Sequence, residues 1–140
     1  MPEIPQIPSL WRFAAHPASV GRARRAVAEA LPRGVARGVG DDLGLLTSEL
    51  VTNAVRYGAR AREEEVVEVV LWCADSYCWV AVSDPGSGGR KPAVGCLGVD
   101  AEGGRGLVLV DRVAGAWVVR ERQGRGTSVI AGVALPRGGG

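Results

Sequence analysis

The sequence predicts an α+β fold: a two-layer α/β sandwich with a mixed, mainly antiparallel sheet and three helices on one face. Three observations predict it. Runs rich in Val and aromatic residues come in two pairs, each joined by a short turn. Two stretches with apolar residues at helical spacing separate an initial strand from those pairs. The chain has 140 residues, 46% of them hydrophobic and 23% charged, enough for one globular core.

The elements follow in order. "SLWRFAA", residues 9–15, alternates enough to be a first strand. In "PASVGRARRAVAEAL", Val20, Ala23, Val27 and Leu31 recur at helical spacing, and Pro17 suits a first turn. "PRGVARGVG" breaks that helix. Asp41 and Asp42 then read as the N-cap and first turn of a second helix, which runs through Leu43, Leu46, Leu50 and Val55 and stops near Gly58. "VVEVVLWC" and "YCWVAVS" are two strands, with Asp75 and Ser76 as turn residues between them. A glycine-rich loop covers residues 84–104, and "GLVLVDRVAGA" reads as a short third helix. "WVVRER" and "TSVIAGVAL" make a final hairpin turned by "QGRG". The expected domain is 9–136, with an N-terminal extension over 1–8 and a frayed tail over 137–140.

Composition excludes several function classes. The net charge of +2 is too small to point to direct nucleic-acid binding. No long apolar run suggests a membrane span, and "MPEIPQIPSLWRF" lacks the basic start of a signal peptide. The expectation is therefore a cytoplasmic protein with Cys73, Cys78 and Cys96 as reduced thiols. Three cysteines without a CxxC pair, and a single histidine, make a poor zinc set.

The second helix carries a puzzle. In "SELVTNAVRYG", residues 48–58, Glu49 and Asn53 are one turn apart and share a face. Leu46, Leu50 and Ala54 take the core face, so this pair points to solvent or into a cleft. For an arbitrary helix a solvated polar stripe is the ordinary explanation. Two later segments shift the balance. In "VSDPGSG", residues 82–88, a strand ends in Asp84, followed by Gly86 and Gly88. Such glycines let backbone pass close to a flat ligand, and the carboxylate accepts from an exocyclic amine such as that of adenine. Alone, Asp-Pro-Gly is equally an ordinary turn. In "EGGRGLVLVD", residues 102–111, glycines lead into a helix whose first N–H groups suit phosphate, although a flexible linker reads the same way. This loop lacks the GK[ST] of a P-loop and fails GxGxxG spacing.

Taken together the segments resemble the GHKL ATPase superfamily, the Bergerat ATP-binding fold, over residues 9–135. Glu49-x-x-x-Asn53 is similar to its N box, Asp84-x-Gly86-x-Gly88 to its G1 box and Gly104-x-Gly106 to its G2 box. "GRGTSV", with Thr127, is similar to its last adenine-side motif. Each box alone is weak; four in order are specific. Within the superfamily the short chain resembles the stand-alone anti-sigma-factor serine/threonine kinases. It lacks the length of a gyrase or chaperone and the phosphoacceptor helices of a histidine kinase, and its one histidine, His16, reads as a loop residue.

The resemblance implies roles. Asn53 would coordinate Mg²⁺ on the phosphates of ATP, and Glu49 would be the general base for a partner's Ser or Thr hydroxyl. Asp84 would accept from the adenine amine, and Thr127 would support Asp84 or a bridging water. Gly86 and Gly88 would pass the adenine closely, while Gly104, Arg105 and Gly106 would line the phosphates. Implied partners are an anti-sigma-factor antagonist, a sigma factor and a second copy in a homodimer. In relatives the first helix, here "ASVGRARRAV", helps form the dimer and contacts the partner, so Arg22, Arg24 and Arg25 are a candidate docking surface. Tyr57 replaces a histidine frequent in relatives, and residues 89–103 make an unusual lid. A non-catalytic ATP-binding interaction module is the other function class, and in it Glu49 has no task. A simple ATPase acting on water fits least, since so small a chain has nothing to harness the turnover.

Overall fold

The structure is a computed structural model. It describes residues 8–58, 66–74, 76–84, 110–121 and 126–136. The chain runs β1 (Ser9–Ala14), α1 (Ser19–Ala30), α2 (Arg37–Asn53), a π-helical turn (Ala54–Gly58), β2 (Val66–Ala74), β3 (Tyr77–Ser83), β4 (Ala116–Glu121) and β5 (Thr127–Ala134). A further helical turn covers residues 110–113. The strands form one sheet in the order β1-β2-β3-β5-β4, and every ladder is antiparallel, where the sequence allowed a mixed sheet. The helices cover one face of it, giving the expected α+β sandwich.

Alternation along each strand builds the core. The row Trp11, Val69, Val82, Val129 and Val119 runs across all five strands on the helix side. Leu43, Leu46, Leu50 and Val51 of α2 and Ala23 and Val27 of α1 pack onto that side, each 1% exposed or less. Burying each of these leucines contributes about 1.5–3 kcal/mol. Val110 is fully buried in the same core, and Trp117 Nε1 donates to Asp111 Oδ1 at 2.9 Å, tying the short helical turn to β4. The rest of the expected third helix lies outside the described residues.

Two helix starts differ from the sequence reading. Pro17 precedes α1 instead of opening its first turn: Ser19 N donates to the His16 carbonyl at 2.9 Å, and Ser19 Oγ to Ala14 O at 2.7 Å. His16 is a loop residue, as expected, and its Nδ1 accepts from Ala18 N–H. Helix α2 begins at Arg37 behind an extended Ala36, one turn before Asp41 and Asp42, and no side chain caps it. The early turn buries Val39 to 6% exposure, and that burial offsets the propensity cost of Gly38 and Gly40.

The β2–β3 hairpin closes where the sequence placed its turn, with Ala74 opposite Tyr77 and Ser76 at φ +66°, while Asp75 lies outside the described residues. Its register overturns the expectation of free thiols for one pair. Cys73 and Cys78 lie directly opposite each other, Cα atoms 4.1 Å apart, and are joined in a disulfide. Compartment and CxxC spacing carried the sequence reading; neither registers that a two-residue turn sets positions 73 and 78 face to face. Cys96 lies outside the described residues. No helix among the described residues is long and apolar enough to cross a membrane.

Candidate functional site

The site residues sit where α2 ends and where β3 and β5 meet. The three hydroxyls on α2 are satisfied within the helix. Thr47 Oγ1 donates to Leu43 O at 2.7 Å, Ser48 Oγ to Gly44 O at 3.0 Å and Thr52 Oγ1 to Ser48 O at 2.7 Å. These back-bonds let hydroxyls sit on a largely buried helix without unmet donors. Asn53 is different. It is 7% exposed, and its Nδ2 has no hydrogen-bond partner. Glu49, one turn earlier, is half-buried. The polar pair is thus not a solvated stripe.

Directly after Asn53 the helix widens into the π-helical turn Ala54–Gly58. The Ala54 N–H is shared between the carbonyls of Leu50 and Val51. Wide turns of this kind are rare inside helices and concentrate at functional sites. No sequence signal marked this one, because Ala-Val-Arg-Tyr continues an ordinary helical pattern.

Helix α2 packs on β3 and β5, the two strands that carry the remaining described site residues. Asp84 follows the end of β3 and Thr127 opens β5. Two hydrogen bonds join them: Asp84 N donates to Thr127 O at 3.0 Å, and Thr127 N donates to Asp84 Oδ1 at 3.3 Å. Asp84 is 7% and Thr127 3% exposed. Gly126, at φ +92°, makes the turn that delivers the Thr127 N–H to this carboxylate, a conformation L side chains rarely adopt. On the next pair along the ladder, Ser83 Oγ and Ser128 Oγ share a hydrogen bond of 2.6 Å, a brace that no sequence motif marks. Thr127 is held by its backbone, so its Oγ1 is left without a hydrogen-bond partner.

The result is unusual polar bookkeeping. Among the described residues, Asn53 Nδ2 and Thr127 Oγ1 are the buried side-chain atoms with no hydrogen-bond partner. Leaving a buried donor unmet costs about 1–3 kcal/mol, and buried polar groups are otherwise almost always paired. Both atoms belong to residues singled out from sequence as ligand-facing. Gly86, Gly88, Gly104, Arg105 and Gly106, and the lid over 89–103, lie outside the described residues.

No curated protein matches the chain. A buried asparagine on a long helix, and a buried carboxylate anchored to the next-but-one strand, sit in an antiparallel α+β sandwich. The model of the histidine kinase-like ATPase domain matches that same stretch, residues 13–132, and the chain belongs to this family.

Proposed function

We propose that the protein is an ATP-binding regulatory protein acting as a serine/threonine protein kinase, one that phosphorylates an anti-sigma-factor antagonist and sequesters a sigma factor. Membership of an ATPase-domain family supports the nucleotide. The observation that carries the reading is the pair of unmet buried atoms, Asn53 Nδ2 and Thr127 Oγ1, on residues matching the family's ligand-facing motifs. A bound nucleotide with its water shell supplies the partners that the protein does not.

Asp84 accepts from the adenine amine with one oxygen while Thr127 N–H holds the other end of the carboxylate in place. The donor set also fits Mg²⁺: the Asn53 side chain offers an amide oxygen, a hard ligand, and Mg²⁺ takes few ligands from protein when phosphates are present. When bound, the ion neutralises charge on the phosphates. Glu49 sits one turn from Asn53, half-buried, where a carboxylate serves as a base. The partner's Ser or Thr oxygen attacks the γ-phosphorus, Glu49 takes the hydroxyl proton, and the bond to the β-phosphate oxygen breaks to release ADP. A non-catalytic binding module would need Asp84 and Asn53 but not Glu49.

Nucleotide binding is checked by thermal shift. A ligand that binds only the folded state stabilises it by about 2.7 kcal/mol at 100 times Kd. The melting temperature should therefore rise with ATP and Mg²⁺, and no response up to millimolar nucleotide refutes the reading. Transfer is checked with labelled ATP and purified antagonist domains.

The docking surface is proposed on α1. Arg22, Arg24 and Arg25 are all exposed. The Arg24 side chain lies over Gly44 of α2, where an added Cβ would come within 3.3 Å of its Nε, so it also serves helix packing. Arg22 and Arg25 are the better probes. Reversing both charges should weaken binding of an acidic partner by about tenfold or more, since arginines are enriched among binding hot spots. ATP affinity should not change. Calorimetry against partner and nucleotide separates the two, and unchanged partner affinity moves the surface elsewhere.

A further inference from the structure

The helices leave one face of the sheet open, and the register arranges its side chains in rows at right angles to the strands. One row is Leu10, Val70, Ala81, Ile130 and Val118, apolar on all five strands. Leu10 is 51% and Val118 43% exposed at its two ends. The next row away from Asp84 holds Trp72 and Trp79, stacked with centroids 6.2 Å apart, and ends in Gly132 and Ala116. Tyr77 lies one row further and stacks on Trp79 at 5.2 Å. The planes of these pairs meet at 18° and 20°, so the three rings stand as nearly parallel plates, each half-buried. An antiparallel sheet with one wet face carries polar side chains there. The row of Arg12, Glu68, Ser83, Ser128 and Arg120 obeys that rule, and the apolar and aromatic rows break it. Large aromatic and aliphatic side chains gathered on an open face mark an interaction surface.

The chain that enters β1 arrives at the aromatic row. Pro8 is exposed, and continuing the β1–β2 register by one residue sets it level with Trp72. The sequence ending there, "PEIPQIP", residues 2–8, repeats every three positions: Pro2, Pro5 and Pro8, then Ile4 and Ile7, then Glu3 and Gln6. The prolines have no N–H with which to continue the ladder. A polyproline II helix has three residues per turn, so this period gives it one proline edge, one isoleucine edge and one polar edge. Segments of this kind dock on grooves lined by aromatic rings. Residues 1–7 lie outside the described residues.

We propose that residues 2–7 of this chain cross the open face as a polyproline II strap over Trp72 and Trp79, with Ile4 and Ile7 towards the rings and Glu3 and Gln6 towards solvent. The inference stands on the sheet register and the three-residue period, and it does not rest on the nucleotide reading. Reach, tethering and chemistry select this occupant. At about 3.1 Å per residue, the chain from Pro8 back to Pro2 spans about 19 Å. With strands about 4.8 Å apart, the edge strands β1 and β4 are also about 19 Å apart, so the strap matches the width of the sheet. Its anchored end, Pro8, is already level with Trp72. A tether this short holds the segment at an effective concentration of about millimolar, which a separate chain would have to exceed. The isoleucine edge meets the apolar and aromatic rows, and the lone charge, Glu3, stays in water. Once covered, the rings are no longer open to other chains.

Fluorine NMR of the full chain carrying fluorotryptophan tests this. The chain has four tryptophans. Trp72 and Trp79 are on the open face, while Trp11 and Trp117 are on the helix side of the same sheet and serve as internal controls. Single Trp→Phe substitutions assign the four resonances. Ile4→Asp combined with Ile7→Asp should move the Trp72 and Trp79 resonances and enlarge their response to exchange of water for heavy water. Trp11 and Trp117 should stay in place, which also shows that the fold is intact. Glu3→Lys combined with Gln6→Lys alters only the solvent edge and should leave all four in place. No movement of Trp72 and Trp79 in the isoleucine variant, or equal movement of all four resonances, overturns the proposal. Equal effects of the two double variants overturn the placing of the isoleucines on the rings. A free peptide of residues 1–8 at about 0.1 mM should leave the wild type unchanged, because the tethered segment outcompetes it. Wild-type Trp72 and Trp79 resonances that follow the peptide show a vacant face and overturn the strap. Resonances that move with protein concentration put a second copy on the face and overturn it as well.

Discussion

Glu49→Gln should lower phosphoryl transfer to the protein substrate by about 10²–10⁴-fold, the usual worth of a general base, and leave ATP affinity unchanged. Glutamine keeps the size of the side chain and an amide oxygen, so the half-buried position stays filled. It cannot take a proton at neutral pH. The nucleotide contacts proposed for Asp84, Thr127 and Asn53 are untouched by this change. The measurement is a single-turnover transfer assay beside a calorimetric ATP titration. Transfer at the wild-type rate would remove Glu49 from catalysis. Transfer lost together with ATP affinity would mean that Glu49 shapes the pocket instead of serving as a base. A protein that binds ATP but transfers phosphate to no partner would favour the non-catalytic module.

Asn53→Ala should separate stability from binding in the opposite way. In the free protein Asn53 Nδ2 is buried and unmet, a debt of about 1–3 kcal/mol. Alanine removes that debt and is the better helix former. A small loss of packing volume partly offsets this, so the unliganded variant should melt at or above the wild-type temperature, by about 1 kcal/mol at most. Nucleotide affinity in the presence of Mg²⁺ should fall by at least about tenfold, as should transfer, if Asn53 is the Mg²⁺ ligand proposed above. Melting curves with and without ATP-Mg²⁺ read both effects in one experiment. A variant that is destabilised yet binds ATP normally would make Asn53 a structural residue.

Much of this fold is legible in the sequence wherever apolar period and turn chemistry agree. Tyr77–Ser83 is an example: its Val-rich alternation, read as a strand just after an expected turn, matches the observed bounds, and the register follows with Ala74 opposite Tyr77. Helix α1 is another, since Ala23 and Val27 fall on the buried face as their spacing requires. The misreadings have physical causes. At the start of α2, local propensity favoured Asp41 and Asp42 as a cap, but burial of Val39 outweighed it. For Cys73 and Cys78, pairing depends on strand register, which spacing rules for metal and redox motifs do not contain. The apolar row on the open face is hidden for a similar reason. Leu10, Val70, Ala81, Ile130 and Val118 are scattered along the chain and become neighbours only through four ladders. At the site, Asn53 and Asp84 are nameable from their boxes, but neither the unmet amide nor the backbone clasp between Asp84 and Thr127 has a sequence signature.

The pairing of β3 with β5 also bears on when the site comes into being. Asp84 and Thr127 are 43 residues apart, and the hydrogen bonds between them form only after the intervening chain has been drawn into a closed loop. Closing such a loop costs entropy that grows with its length, and pairings of this separation are slow to form. The carboxylate has no Thr127 N–H to hold it until β5 has docked between β3 and β4. During synthesis on the ribosome, α1, α2 and the β2–β3 hairpin are therefore complete well before the nucleotide pocket exists. A nascent chain ending before residue 127 has the helix with Glu49 and Asn53 but no clasp for Asp84, so nucleotide can reward only the last stage of folding.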